Sequence, residues 1–273
     1  MHTVGGRRGV VILAAAAALM SGCSQPLNST GAPVGSPSGV SDPSMVDLEL
    51  NHILPSAAQI LTIEARELSA ENQCYREAGL LSGATFSDPS AVPRYVNFVI
   101  QARVTYSPVW GFFDPRAATT LGYQADGSIG GFSEDPPAGA DKGLVERCES
   151  SARAAVGGHH WAELLFPQSL PDGGPPVALA GEAVSEANRA WSDCMKAHGQ
   201  HFDTPVHALG QWAKETTPSA AQIAAASADV QCKVATNLVG IDAAAQNEAV
   251  RAYVAAHEAA VEAYRNTVAG AAS

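Results

Sequence analysis

The chain has 273 residues, with 16 basic and 27 acidic side chains, so its formal charge is −11 at neutral pH. A surplus of acidic groups with no basic run argues against attraction to nucleic acid or to anionic lipid headgroups. The sequence therefore predicts no nucleic-acid partner, and we interpret the acidity as a source of solubility.

The first 22 residues have the pattern of a secretion signal. Arg7 and Arg8 precede an unbroken apolar run from Val10 to Met20, and small residues follow it. A charged start, a short apolar stretch and a small-residue end are typical of a cleaved signal peptide. The run is about half as long as the ~20 residues that a membrane-spanning helix needs. We therefore predict a signal peptide over residues 1–22.

The residues Met20-Ser-Gly-Cys23 resemble the bacterial lipobox, at which processing enzymes diacylate the cysteine thiol and then cleave before it. Met20 stands where Leu is usual. Cys23 is also the odd cysteine beside four later ones. The resemblance implies a lipid-modified Cys23 that anchors the mature chain to the extracytoplasmic face of the cell membrane. The alternative is an ordinary secretory signal followed by a chance cysteine.

Residues 23–44 hold the lipidated cysteine and a predicted flexible linker. The segment is rich in Ser, Gly and Pro, and it has too few large apolar residues to bury a core. Its mean reach of about 25 Å would hold the folded part close to the membrane. Without the signal, the chain has 14 basic and 27 acidic residues, a formal charge of −13.

The remaining sequence predicts a mainly all-α protein. It is rich in alanine, and apolar residues recur at three- and four-residue steps, which favours helices. In the first helix the predicted apolar face contains Leu61, Ala65, Leu68 and Tyr75. The apolar run within residues 94–105 suggests a short strand. The predicted helices cover residues 56–78, 141–156, 182–198, 217–240 and 250–268.

Two of these helices have further signals. Thr217 is a suitable cap, Pro218 suits the first helical turn, and Gly240 suggests the stop. From Val250 to Val268, five apolar residues and His257 recur at alternating steps of four and three residues, which predicts one long amphipathic helix. We expect the apolar face of this helix to pack against the protein's own helices.

A weak internal repeat suggests two related helical halves. Cys74 and Cys194 each stand five residues before a glycine, and a second helical cysteine follows in each half, Cys148 and Cys232. The first half is longer because residues 106–131 look inserted. The predicted organisation is a first half over 45–165, a connector over 166–176 and a second half over 177–270.

The residues Trp191-Ser-Asp-Cys-Met-Lys-Ala-His-Gly199 and Ala228-Asp-Val-Gln-Cys-Lys233 carry a further likeness. With Asp114-Pro-Arg-Ala-Ala118 and Leu121-Gly-Tyr123, they resemble a family of exported actinobacterial proteins and lipoproteins. Its members have a twice-occurring Cys-Met-x-x-x-Gly element, and the likeness covers most of the chain beyond the linker. Tyr75 replaces the usual Met in the first copy, and Gln200 replaces a common aromatic or large apolar residue. The resemblance implies export and this architecture, and no reaction.

The four later cysteines are expected to form two disulfides, because an exported protein meets an oxidising environment. Four cysteines allow three pairings. A duplicated unit would carry its own link, so the repeat favours Cys74–Cys148 and Cys194–Cys232. Each would stabilise the fold by about 4 kcal/mol in the chain-entropy model. No two cysteines have the Cys-x-x-Cys spacing of a redox site, so we predict a structural role.

A metal site is the rival interpretation of one cysteine. Cys194 and His198 are one helical turn apart, and His201 follows closely, so the two histidines are weak candidate ligands. Such a site requires Cys194 to be free. Because Cys232 is available as its disulfide partner, we predict no metal and no other cofactor.

The other histidines give weaker signals. His159 and His160 are adjacent in a connector that we expect to be partly exposed, with Trp161 packed in the core. His257 and Glu258 begin a His-Glu-x-x-His pattern, but Val261 occupies the place of its second histidine.

Three functions remain open. The first is a non-catalytic envelope protein that binds another envelope component. The second is a carrier of a small ligand or metal, and the third is a cell-wall hydrolase with unrecognised carboxylates, whose residues leave no local spacing. Serine-hydrolase, phosphate-loop and Ser-x-x-Lys motifs are missing from the sequence, which favours the first and predicts no catalytic residue.

Overall fold

The computed structural model describes residues 39–80, 82–86, 88, 90–124, 134–177, 181–215 and 217–273. The predicted signal peptide, Cys23 and the linker as far as residue 38 lie outside this part. The described chain is mainly helical, as predicted. None of its helices combines the length and the hydropathy required to cross a membrane.

Helices form most of the described fold. In chain order they are α1 (Ala57–Glu77), α2 (Ala91–Thr105), α3 (Pro115–Ala118), α4 (Lys142–Ala155), α5 (Glu182–Ala197), α6 (Pro205–Gln211), α7 (Ala220–Ala235), α8 (Leu238–Ala256) and α9 (Glu258–Ala272). Two antiparallel strand pairs accompany them: β1 (Thr85–Phe86) with β4 (Glu134–Asp135), and β2 (Tyr106–Ser107) with β3 (Gly111–Phe112).

Helix α1 lies where the sequence predicts it, and Tyr75 of the predicted apolar face is fully buried, but the other buried positions differ from the prediction. Ser56 and Gln59 form a capping box at its start, and Gly79 has a φ of +88° just after its end. Ala65 is exposed, and Leu61 and Leu68 are only partly buried. The buried side chains are Ile60, Ile63, Glu67, Glu71 and Tyr75. Two carboxylates can occupy this face because both accept hydrogen bonds from buried groups.

The prediction of a strand within residues 94–105 is wrong, because these residues belong to helix α2. Val92, Tyr95, Val96 and Val99 are buried at the i, i+3, i+4 and i+7 spacing of one helical face. Their packing outweighs the β-propensity of the valines. The first half does contain short strands on either side of this helix, β1 before it and β2 immediately after it at Tyr106.

The predicted helix 217–240 is in fact α7 and the start of α8. Ser219, rather than Thr217, caps α7 by accepting a hydrogen bond from the Gln222 backbone N–H. Asn237 then adopts a left-handed conformation with a φ of +50°, and α8 begins directly after it. Asparagine tolerates this conformation better than most residues, so Asn237 makes the turn. Gly240 lies inside α8 and does not end a helix.

The long final helix is also divided. His257 has a φ of −125° and a ψ of 27° and separates α8 from α9. Its Nδ1 lies 3.2 Å from Asp172 Oδ2, and its ring packs on Tyr253 with centroids 4.7 Å apart. Val250 and Val268 are nevertheless buried in one cluster with α1. The expectation of intramolecular packing is confirmed, although the single helix is not.

Within the described ranges, the hydrophobic core consists of two large clusters and a small one. The first cluster includes Trp110, Phe112, Phe113, Trp191, Met195, Ala225 and Leu238. The second large cluster, called the middle cluster below, includes Ile60, Ile63, Val96, Trp161, Val250, Val261, Tyr264 and Val268. The small cluster is formed by Tyr75, Ala84 and Cys148.

The two sequence halves exchange segments in this core. The stretch that looks inserted in the first half contributes Trp110 and Phe112 to the first cluster, where they join Trp191 of the second half. In return, α9 of the second half packs on α1 of the first. Each large cluster therefore depends on both halves.

The end of the segment predicted as linker packs on the core. Val40 is buried in the first cluster, and its backbone N–H donates a hydrogen bond to Asn237 Oδ1 at 3.1 Å. Asp42 then caps a 3-10 turn over Pro43–Met45. The prediction of a linker as far as Ser44 is therefore wrong for these residues.

Candidate functional site

Two disulfides join the helices that carry the repeated cysteines. Cys74–Cys148 links α1 to α4 with a Cα–Cα distance of 5.4 Å, and Cys194–Cys232 links α5 to α7 at 5.7 Å. Both distances lie in the usual disulfide range. The predicted pairing is confirmed, and none of the four thiols is free.

The weak metal candidates lie beside the second disulfide. His198 is the exposed C-cap residue of α5. One of its ring nitrogens and the sulfurs of Cys194 and Cys232 all lie within 4.8 Å of one another. His201 is exposed and does not belong to this group. Because the two sulfurs are bonded to each other, the site offers no thiolate ligand in this state.

A buried ion pair lies in the first cluster and was not predicted. Asp229 and Lys233 are one turn apart on α7, both side chains are 0% exposed, and Lys233 Nζ lies 2.7 Å from Asp229 Oδ2. Lys233 Nζ also donates to the Phe112 carbonyl oxygen at 2.6 Å, and Trp191 Nε1 donates to Asp229 Oδ1 at 2.9 Å. The pair therefore connects α7 to β3 and to α5.

Burial shifts the titration of these groups. Burial raises the pKa of Asp229 and lowers the pKa of Lys233, while the attraction between the two charges opposes both shifts. Burial, together with the neighbouring Asp229 carboxylate, also raises the pKa of Tyr123. These groups are enclosed by the core, so the hydrogen bonds hold helices together.

Asp242 on α8 is a third buried charge. Its side chain is 1% exposed, and neither carboxylate oxygen has a hydrogen-bond partner among the described residues. Burial raises the pKa of Asp242 to about 7, against an opposing attraction to Lys233. A substantial fraction of Asp242 is therefore protonated near neutral pH.

A second polar cluster lies on α1. Glu67 Oε1 lies 2.9 Å from His160 Nδ1, and Glu67 Oε2 accepts the Trp161 backbone N–H at 3.1 Å. His160 keeps 29% of its side chain exposed, and Trp161 is buried, as expected from the sequence. Four residues further along α1, Glu71 accepts a hydrogen bond from the Tyr75 hydroxyl at 3.0 Å. Glu67 thus fixes the connector that follows α4.

Two open depressions lie on the described surface. One runs along α4 beside Cys74, and the other lies between α8, α9 and the 3-10 turn Glu49–His52. Neither is lined by Asp229, Lys233 or Glu67. The charged clusters and the surface depressions are therefore separate features.

Comparisons with protein-family models, with curated proteins and with solved structures found no match. The resemblance to the exported actinobacterial family thus stays a prediction. One signal in the sequence could have revealed the buried pair, because Asp229 and Lys233 stand at i, i+4 in a segment otherwise rich in Ala and Val.

Proposed function

We propose that the protein is a lipoprotein anchored through Cys23 to the extracytoplasmic face of the cell membrane, where it binds another envelope component without catalysing a reaction. The N-terminal sequence supports the anchor, since charge, apolar run and lipobox-like residues occur in the required order. Two disulfides are compatible with an oxidising compartment.

The enclosure of Asp229, Lys233 and Asp242 is the main support for a non-catalytic role. A catalytic acid or base must reach its substrate, and such groups usually combine a shifted pKa with an open cleft. Here Asp229, Lys233 and Asp242 are at most 1% exposed. Glu67 is occupied by the Trp161 backbone and by His160. These polar groups organise the fold, and the helix surfaces are left for contact with a partner.

The anchor is tested with the Cys23→Ser variant of the full-length chain. We expect the variant to lack lipid and to keep its signal uncut or wrongly cut, as measured by mass spectrometry and membrane fractionation. Ser24→Ala is the matched control, since it leaves the modified thiol intact. Normal maturation and membrane retention of Cys23→Ser would refute the anchor.

The partner is tested by crosslinking in intact cells, followed by affinity capture and mass spectrometry. We expect one envelope component to be captured with the wild type and to be reduced with Cys23→Ser, which lacks the lipid and the correctly processed N-terminus. Recovery of a stoichiometric small molecule by native mass spectrometry would instead favour a ligand carrier. Release of soluble fragments from purified cell wall would favour a hydrolase.

A further inference from the structure

The geometry beside the second disulfide points to a latent metal site. We propose that a dithiol reductant opens Cys194–Cys232 and that the reduced corner binds a thiophilic divalent ion of the Zn²⁺ class through Cys194, Cys232 and His198. This proposal does not depend on the lipid anchor or on an envelope partner.

The positions of the three donors carry the proposal. Their ligand atoms already lie within 4.8 Å of one another. Zinc binds cysteine sulfur at about 2.3 Å and histidine nitrogen at about 2.0 Å, so a tetrahedral ion holds two sulfurs about 3.7 Å apart. The two Cα atoms are 5.7 Å apart, so rotation of the cysteine side chains can supply this separation without moving the helices.

The supporting elements also suit a metal. Cys194 and His198 are one turn apart at the end of α5, and Cys232 comes from α7, which packs against it. Two helices linked by packing hold donors more firmly than a loop does. His198 is exposed, Cys194 is partly buried and Cys232 is fully buried. The fourth position of a tetrahedral ion therefore faces solvent and takes water.

The chemistry balances with a dithiol as the reductant. Its thiolate attacks the more accessible Cys194 sulfur, the disulfide bond breaks, and Cys232 leaves as a thiolate. The second thiol of the reductant then displaces Cys194, so the reductant is oxidised to a cyclic disulfide and the protein gains two thiols. Metal binding replaces the two thiol protons and releases them to solvent.

The first disulfide provides a control within the same molecule. Cys74 and Cys148 also become a pair of thiols on reduction, with a similar Cα–Cα distance of 5.4 Å. No histidine or carboxylate completes a three-ligand group with them among the described residues. A metal that requires three ligands should therefore select the second pair.

The test uses the full mature chain in detergent, with Co²⁺ as the spectroscopic probe for a zinc-type site. After reduction by a dithiol and its anaerobic removal, we expect one Co²⁺ per chain, with thiolate charge-transfer bands and the visible bands of tetrahedral cobalt. The oxidised protein should give neither. Absence of these bands from the reduced protein would overturn the proposal.

Two histidine variants test the ligand set. His198→Ala should weaken Co²⁺ binding by more than about 100-fold, because even loss of a group that only supports a ligand costs about 10- to 100-fold. His201→Ala is the matched control, since it removes an exposed histidine outside the group, and it should change affinity by less than about 2-fold. Equal effects of the two substitutions would contradict the assignment.

Alkylation of the reduced wild type tests the choice of cysteines without a further substitution. Adding Co²⁺ to the reduced protein should slow the alkylation of Cys194 and Cys232 by iodoacetamide, relative to the metal-free reduced protein, and leave the rates at Cys74 and Cys148 unchanged, as mapped by peptide mass spectrometry. Slowing at Cys74 and Cys148, or equal slowing at all four cysteines, would refute the site.

Discussion

The helix pairs α1–α4 and α5–α7 have the same covalent link and different interiors. Each is joined by one disulfide, with Cα atoms 5.4 Å and 5.7 Å apart. The first link lies in the small cluster with Tyr75 and Ala84. The second disulfide lies in the first cluster, together with Trp191 and the Asp229–Lys233 ion pair. A repeated cysteine pattern therefore identifies the link but does not specify the core beneath it.

Removal of either disulfide should cause the largest loss of stability, and the losses for the two helix pairs can be compared directly. The cysteines are 74 residues apart in the first pair and 38 in the second. Chain entropy then predicts a loss of about 4.5 kcal/mol for Cys74→Ser/Cys148→Ser and about 4 kcal/mol for Cys194→Ser/Cys232→Ser. Denaturant unfolding measures both. A much smaller loss for either double variant would contradict the entropic account for that pair.

Breaking the buried ion pair on α7 should lower the free energy of unfolding almost as much as removing a disulfide. Lys233→Met leaves Asp229 as a buried charge without its cation, so we expect a loss of about 3–5 kcal/mol in the free energy of unfolding. Adding Asp229→Asn should recover much of that loss. Lys196→Met is the control, because Lys196 pairs with Asp193 at the surface of α5 and should contribute less than about 1 kcal/mol. A similar effect of Lys233→Met and Lys196→Met would be unexpected.

Asp242 in the α7–α8 region should contribute to the pH dependence of stability. The pKa of Asp242 is about 7 in the folded chain and 3.8 as its ordinary value, so the folded state holds this proton more tightly. Its contribution to stability is therefore fully present below about pH 4 and is lost as the pH rises to about 7.

Asp242→Asn tests that dependence. At pH 8 it should stabilise the protein by about 2 kcal/mol, less than the pKa shift alone gives, because the amide also buries polar atoms. The difference between wild type and variant in unfolding free energy, measured from pH 4 to pH 8, should grow with pH. A difference that stays constant would show that Asp242 does not titrate in this range.

The smallest predicted effect concerns the start of α1. Ser56→Ala removes one side of the capping box and should cost about 1 kcal/mol. Ser69→Ala, at an exposed position within the same helix, should change stability by less than about 0.5 kcal/mol. Helix α5 begins after Gly181 with no side-chain cap, so its start has no equivalent contribution to lose. Equal effects of the two serine substitutions would count against the cap.

Local patterns in the sequence identified most helices and the disulfide pairing, but long-range packing decided the details. Residues 94–105 were mistaken for a strand because valine and aromatic residues favour β-structure when tertiary contacts are ignored. Glu67 was missed because a charged residue on a helix is usually exposed, and its partners His160 and Trp161 are over 90 residues away. The predicted Cys194–Cys232 link already brings Cys232 near His198, but only the fold shows that the three ligand atoms lie within 4.8 Å of one another.

The packing of α9 on α1 also delays completion of the fold, because the two helices are far apart in the sequence. Arg66 Nη1 donates to the Gly270 carbonyl oxygen at 3.0 Å across 204 residues of chain, and α9 completes the middle cluster. At about 5–20 residues per second, synthesis separates these two partners by about 10–40 s. Until α9 joins the cluster, Ile60 and Ile63 lack one wall of it, and the chain is open to proteases and chaperones. Dependence on such distant contacts predicts slow folding for a helical protein.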